Sequence, residues 1–233
     1  MTVLTLCVAL LCVTTVLGRD LSAYGVPSLE KPRGPECSGK FFHAGYRDDI
    51  VQCELCREFT LIYARGTFEN GNIGSFVGPP LISALSTALS PSKLAVQGVV
   101  YAADVEGYFA GGDREGAKTI VSLVKLAKTA CPNTNVVLAG YSQGAQIIHL
   151  AAEIDLNMVK DVKAMVLFGD PFHGFPVYGS NGSYTKSYCH DDDWICTRRR
   201  ISNPVQILKL ESHLHYDDYV MNATEFRKGR LQA

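Results

Sequence analysis

The sequence predicts an α/β fold, a central and mostly parallel β-sheet covered by helices on both faces. Three observations carry this expectation. Short apolar runs at residues 59 to 65, 96 to 103, 136 to 139 and 162 to 168 alternate with segments of helical period, the pattern of parallel strands joined by helical crossovers. The third run leads straight into Gly140-Tyr141-Ser142-Gln143-Gly144, and another apolar segment follows at residues 147 to 154. No repeat, low-complexity tract or interdomain linker interrupts the 233 residues, enough chain for a single domain with a sizeable core.

Taken in order, residues 1 to 18 read as a secretory signal peptide: an uncharged, almost wholly apolar stretch ends at Val16-Leu17-Gly18, just before Arg19. The stretch falls short of the roughly 20 residues that span a bilayer, so a cleaved leader is favoured over a membrane anchor. Residues 19 to 52, with Pro27, Pro32 and Pro35, read as an irregular N-terminal arm, and residues 53 to 233 as the folded domain. Residues 59 to 65 are strand-like and bounded by Gly66 and the turn-rich Asn70-Gly71-Asn72-Ile73-Gly74. After Pro79-Pro80, Leu81, Ile82, Leu85, Ala88 and Leu89 repeat at helical spacing. A second strand is expected at residues 96 to 103. Asp113 suits the N-cap of a helix whose stripe is Ile120, Val124, Ala127 and Cys131, with Pro132 closing it. Strands at 136 to 139 and 162 to 168 follow. From Asp170 to Cys189 the chain reads as turns, and residues 217 to 231 are amphipathic enough for a closing helix.

The net charge of -1 implies no nucleic-acid or acidic-polymer partner. Of eight cysteines, Cys7 and Cys12 lie in the leader. The remaining Cys37, Cys53, Cys56, Cys131, Cys189 and Cys196 suit three disulfides in an exported chain, with fifteen possible connectivities that spacing does not resolve. Cys53-Glu54-Leu55-Cys56 lacks the second pair a zinc site would need, so no metal is expected. Asn181-Gly182-Ser183 and Asn222-Ala223-Thr224 are glycosylation sequons.

A strand that enters Gly-x-Ser-x-Gly and leaves as a helix is the nucleophile turn of α/β-hydrolases, which lifts one hydroxyl above the sheet. That makes Ser142 the candidate nucleophile. Its base and the acid that orients the base should follow in the order serine, acid, histidine. His213 and His215 are the best-placed bases, and pattern does not choose between them. Asp170, at a strand's carboxyl end, and the run Asp191-Asp192-Asp193, between Cys189 and Cys196, are the candidate acids. Only about seventy residues separate Ser142 from these histidines, too few for a lid domain.

These residues carry a family resemblance. Ile62-Tyr63-Ala64-Arg65-Gly66-Thr67, Gly98-Val99-Val100-Tyr101, Gly140-Tyr141-Ser142-Gln143-Gly144-Ala145, the Cys189 to Cys196 loop with Asp193, and His213-Leu214-His215-Tyr216 together resemble a cutinase, over most of residues 53 to 220. The resemblance implies a minimal α/β-hydrolase without a lid. It makes Ser142 the nucleophile, Asp193 the acid, His213 the base, and Thr67 with the N–H of Gln143 the oxyanion hole; Asp170 takes a structural position. It also pairs Cys56 with Cys131 and Cys189 with Cys196, which leaves Cys37 for Cys53. The implied protein is a secreted, monomeric serine esterase that acts on cutin or another ester polymer without cofactor or membrane insertion. Departures are Ala102, where the family often has proline, and the nineteen residues between Asp193 and His213, a longer segment than is usual and one that carries Arg198 to Arg200. An acetylxylan esterase is the alternative enzyme, and a catalytically idle binding protein the alternative of another class.

Overall fold

The computed structural model describes residues 45–52, 56–197 and 211–231, with side chains as far as residue 225. The expected leader, most of the N-terminal arm, the Cys37–Cys53 pair and Arg198 to Arg200 lie outside the described residues.

Five strands form one sheet in the order β2-β1-β3-β4-β5, and every neighbouring pair is parallel. They are β1 (Phe59–Ala64), β2 (Leu94–Gly98), β3 (Asn135–Tyr141), β4 (Val162–Phe168) and β5 (Thr185–Tyr188). Side chains alternate across the pleat, so each strand feeds two cores. Ile62, Leu138, Met165 and Leu167 pack on one face against Ile120, Val124, Ala145 and Ile148. Leu61, Tyr63, Val137, Val166 and Phe168 pack on the other against Leu81, Leu85, Val220 and Ala223. Burial on both faces explains why the strand sequences read as continuous apolar runs rather than alternating ones.

The helices follow from the same patterning. Pro79 and Pro80 open α1 (Gly78–Leu89), where a missing N–H costs nothing. α2 (Val105–Phe109) is a single short turn capped by Asp104. In α3 (Arg114–Ala130) the Asp113 side chain accepts from the N–H of Gly116 at 2.6 Å, as expected of an N-cap, and Ala117, Ile120, Val124 and Ala127 form the buried stripe. α4 (Gln143–Ile154) follows β3, then α5 (Leu156–Asp161), α6 (Glu211–Leu214) and α7 (Val220–Leu231).

Several boundaries differ from the sequence expectations. The second strand spans Leu94–Gly98 and not residues 96 to 103, because beyond Gly98 the chain leaves the sheet and the buried ring of Tyr101 donates its hydroxyl to the carbonyl of Arg65. β5 falls in the stretch read as turns: it is short, polar, at the sheet edge, and carries no apolar run to announce it. The closing helix is preceded by a 3₁₀ turn, Tyr216–Tyr219. The sequon residue Asn181 is exposed in a turn and Asn222 is exposed on α7, where the Thr224 hydroxyl bonds the carbonyl of Val220. Among the described residues, no helix is long and apolar enough to cross a membrane.

The strand order places the site. From β1 the chain steps to β2 on one side, then returns past β1 to β3 and continues the other way. The connections leaving β1 and β3 therefore diverge to opposite faces, α1 to one and α4 to the other. In open α/β sheets such a divergence at the strands' carboxyl ends is where ligands bind.

At the opposite end of the sheet, Cys56 before β1 and Cys131 after α3 form a disulfide across 75 residues. Closing a loop of that length is worth about 4 kcal/mol through the unfolded chain. Replacing both cysteines by alanine should lower the unfolding free energy by about that amount in a urea titration while the far-UV dichroism of the folded variant stays unchanged.

Candidate active site

Ser142 sits where β3 ends and α4 begins, with φ 55° and ψ −118°, a backbone conformation that side chains other than glycine's rarely adopt. Such strain costs on the order of 1–3 kcal/mol and persists only where the surroundings impose it. Here the imposing contacts are visible. A Cβ on Gly144 would lie 2.1 Å from the carbonyl oxygen of Ala64, and one on Gly140 would lie 2.5 Å from that of Gly144. The two glycines let β1, β3 and α4 close on one another, and the serine takes up the turn.

The hydroxyl of Ser142 lies 2.9 Å from Nε2 of His213, and Nδ1 of His213 lies 2.7 Å from Oδ2 of Asp193. All three side chains are buried. His213 stands on α6, clamped from several sides. The Tyr141 hydroxyl donates to its carbonyl at 2.7 Å, and the Tyr141 ring lies beside the imidazole with centroids 5.3 Å apart. Beneath it is Gly169, where a Cβ would lie 2.7 Å from Cε1 of the imidazole.

Asp193 is held inside the loop closed by the Cys189–Cys196 disulfide. Its Oδ1 accepts the N–H of Ile195 at 2.8 Å, and its Oδ2 accepts the Tyr216 hydroxyl at 2.6 Å as well as the His213 contact. Burial alone would raise its pKa, but His213, Tyr216 and the Ile195 N–H outweigh burial and hold the carboxyl below its ordinary value. An ionised carboxylate only accepts, so Nδ1 of His213 carries the proton and Nε2 presents its lone pair to Ser142. Burial first, and neighbouring carboxylates second, push the Tyr141 and Tyr216 hydroxyls well above the phenol range, so both remain donors.

The structure brings some of the candidate residues together and leaves others apart. His215 is exposed and contributes its carbonyl to Nε2 of His190 at 2.9 Å. The segment is not extended: α6 and the following 3₁₀ turn send His213 inward and His215 outward. Asp170 lies 3.0 Å from Nε2 of His149 and makes no bond to His213. Asp191 and Asp192 are exposed, and a bond from the Ser212 side chain lowers the Asp192 pKa. Thr67 and Gln143 are brought together, the Gln143 side-chain amide donating to Thr67 Oγ1 at 2.9 Å and to the carbonyl of Asp104 at 2.6 Å. Gln143 is the first residue of α4, so its own N–H has no partner within the helix. Among the described residues, no cluster of three or more His, Cys, Asp or Glu side chains could hold a metal.

Tyr141 and Tyr216 were not legible as site residues. Tyr216 lies three positions after His213, yet a lone tyrosine carries no periodic signal, and its bond to Asp193 spans 23 residues of chain.

The parallel sheet, the glycine-flanked serine turn and the buried serine, histidine and aspartate define the class as α/β-hydrolase. Comparison narrows it. The family model described as Cutinase matches residues 55–231, and the chain belongs to the cutinase family. It is 42% identical to the cutinase of Blumeria hordei over 179 residues, which is 76% of this chain and 72% of that one. It is 41% identical to the cutinase of Botryotinia fuckeliana over 147 residues, 63% of this chain and 73% of that one. Among solved structures, Trichoderma reesei cutinase in complex with a C11Y4 phosphonate inhibitor superposes with a TM-score of 0.68 at 35% identity, covering 76% and 78% of the two chains. An acetylxylan esterase shares the fold with a TM-score of 0.59 at 22% identity, covering 76% and 99%. The chain is thus a carboxylic ester hydrolase, a serine esterase of this family.

Two expectations follow from the geometry around Asp193. Because its native pKa is depressed, its contribution to stability is complete above the unfolded carboxylate value of about 4 and is lost as pH falls through the native one. Tyr216→Phe removes one cause of the depression, so acid unfolding should begin at higher pH, with about 1.5–3 kcal/mol lost at neutrality. Fluorescence of Trp194, the chain's single tryptophan and the residue next to Asp193, reports the transition. Replacing Cys189 and Cys196 by alanine should cost about 2 kcal/mol of stability but lower turnover at temperatures where near-UV dichroism still shows the native fold; parallel loss of both signals would refute a positioning role for the loop.

Proposed function

We propose that the protein is an exported esterase that cleaves the ester bonds of cutin or a related aliphatic polyester through an acyl-enzyme. The observation that carries this reading is the hydrogen-bonded chain from Ser142 Oγ through His213 to Asp193, at 2.9 and 2.7 Å. Ser142 attacks the ester carbonyl carbon while its proton passes to Nε2 of His213. Asp193 fixes the tautomer and stabilises the imidazolium. The backbone N–H groups of Gln143 and Thr67 take the charge that develops on the carbonyl oxygen, an interaction worth about 10²–10³ in rate per donor. Collapse expels the alcohol, which leaves with the proton from His213. Water then attacks the acyl carbon and gives its proton to His213; the acyl–serine bond breaks, Ser142 takes that proton back from His213, and the acid is released.

The surface around the site favours an apolar acyl chain. Phe68, beside Thr67, is 76% exposed, and Phe109, on the short α2 gripped by Gln143 and Gln146, is 80% exposed. Val105 and Leu214 add to this apolar rim. Side chains of this kind, kept in water on α2 and on the segments that carry Thr67 and His213, suit a solid or aggregated aliphatic ester better than a hydrated sugar. Export is supported by the leader-like residues 1 to 18 and by the two disulfides.

The test is hydrolysis of p-nitrophenyl esters of increasing acyl length, then of polymeric cutin, with Ser142→Ala beside the wild type. Rates that persist on butyrate and longer chains and fall by about 10⁴-fold or more in Ser142→Ala are expected. Activity confined to acetate would replace the polyester reading with deacetylation of a polysaccharide.

A further inference from the structure

Glu69 lies in the loop that follows β1, two residues after Thr67, and is 6% exposed. Its carboxylate meets main-chain donors only: Oε2 accepts the N–H of Gly66 at 2.6 Å, and Oε1 accepts those of Ser75 and Phe76 at 2.7 and 2.8 Å. A buried carboxylate is tolerated only when its lone pairs are met, and three N–H groups do so here. One side chain thereby ties the start of the loop to its end. The fit is close, since a Cβ on Gly74 would lie 2.4 Å from the Glu69 carboxyl carbon.

The consequence for Thr67 follows from peptide planarity. The carbonyl of Gly66 and the N–H of Thr67 belong to one rigid trans unit and point in opposite directions. The N–H of Glu69 donates to that carbonyl at 3.3 Å, while the Glu69 side chain holds the N–H of Gly66 itself. Fixing Gly66 on both sides aims the Thr67 N–H. The next residue, Phe68, has φ 64° and donates its N–H to the carbonyl of Ala103, itself at φ 52°. These are strained conformations, which a loop keeps only when something outside the strained residues imposes them. Arg65 adds its Nε–H to the carbonyl of Glu69 at 2.6 Å.

We propose that Glu69 is the positioning residue of the oxyanion hole: its carboxylate holds the loop so that the Thr67 N–H is already aimed when the tetrahedral intermediate forms. The proposal rests on the reading of Thr67 and Gln143 given above. It predicts a defect in the transition state rather than in substrate binding.

Glu69→Gln is the direct test. The amide keeps one acceptor for Ser75 and Phe76 but turns a donor toward the Gly66 N–H. On p-nitrophenyl butyrate, kcat should fall about 10- to 100-fold with KM within about twofold of wild type. Phosphonylation of Ser142 by a p-nitrophenyl alkylphosphonate, whose phosphoryl oxygen takes the oxyanion's place, should slow in parallel. Glu69→Asp keeps the charge, shortens the reach and should lower kcat in the same way, so the test survives if the glutamine variant does not fold. Thr60→Val serves as the stability control, because it breaks the buried Thr60–Thr134 bond near the start of β1. That variant should lose thermal stability and keep kcat.

A Glu69→Gln enzyme with kcat within twofold of wild type overturns the proposal. So does a raised KM at unchanged kcat, or an equal loss of kcat in Thr60→Val. Full activity in Ser142→Ala would instead strike the nucleophile reading beneath it.

Discussion

The tight approach of α4 to β1 is the constraint on which the site depends. Gly144 has no side chain, so its Cα can meet the carbonyl of Ala64, and only that approach lets β3 turn into α4 at a single residue. Ser142 absorbs the turn as a positive φ. The strain fixes the hydroxyl above the sheet edge without any hydrogen bond of its own to the turn, which leaves Oγ for His213. It also starts α4 there, so the N–H of Gln143 belongs to a helix end whose donors have no internal partners. The placement of the Ser142 hydroxyl and of the helix-end N–H of Gln143 arises from one backbone feature.

Buried carboxylates do the remaining alignment. Asp193 is held by a short disulfide loop, a backbone N–H, a tyrosine hydroxyl and the imidazole, and those partners keep it ionised against the penalty of burial. Its charge sets the tautomer of His213. Glu69 plays a parallel part, with main-chain donors only, where Asp193 has one main-chain and two side-chain partners. In both places the charge is far from water, so each hydrogen bond acts at low dielectric and a missing partner would be costly.

The sheet supplies the frame for both. Because strand order reverses between β1 and β3, the loop with Thr67 and the turn with Ser142 come together at the sheet's carboxyl edge, where the Gln143 side chain bonds Thr67. Gly169, the residue after β4, lies beneath the imidazole, and the rings of Phe168, Tyr188, Tyr216 and Tyr219 pack against one another by stacked and edge contacts. Phe68, Val105, Phe109 and Leu214 are exposed outside this layer.

The sequence by itself determined the alternation of strand and helix, the limits of β4, the N-cap at Asp113 and the position of Ser142, because each rests on neighbours along the chain: burial on both faces, a capping side chain, two glycines around a serine. It could not end β2 at Gly98 or reveal β5, since a strand's limits depend on which backbone lies beside it. Nor did local pattern separate His213 from His215 or Asp193 from its two neighbours; there the family resemblance indicated what residue spacing did not. The tertiary structure shows which of these side chains meet: His213, Asp193, Tyr216 and Ser142 come together only once α6 and the disulfide loop fold back over the ends of β3 and β4, across as many as 71 residues of chain. A hydrogen bond over that distance leaves no period in the sequence, and only the packed chain can show it.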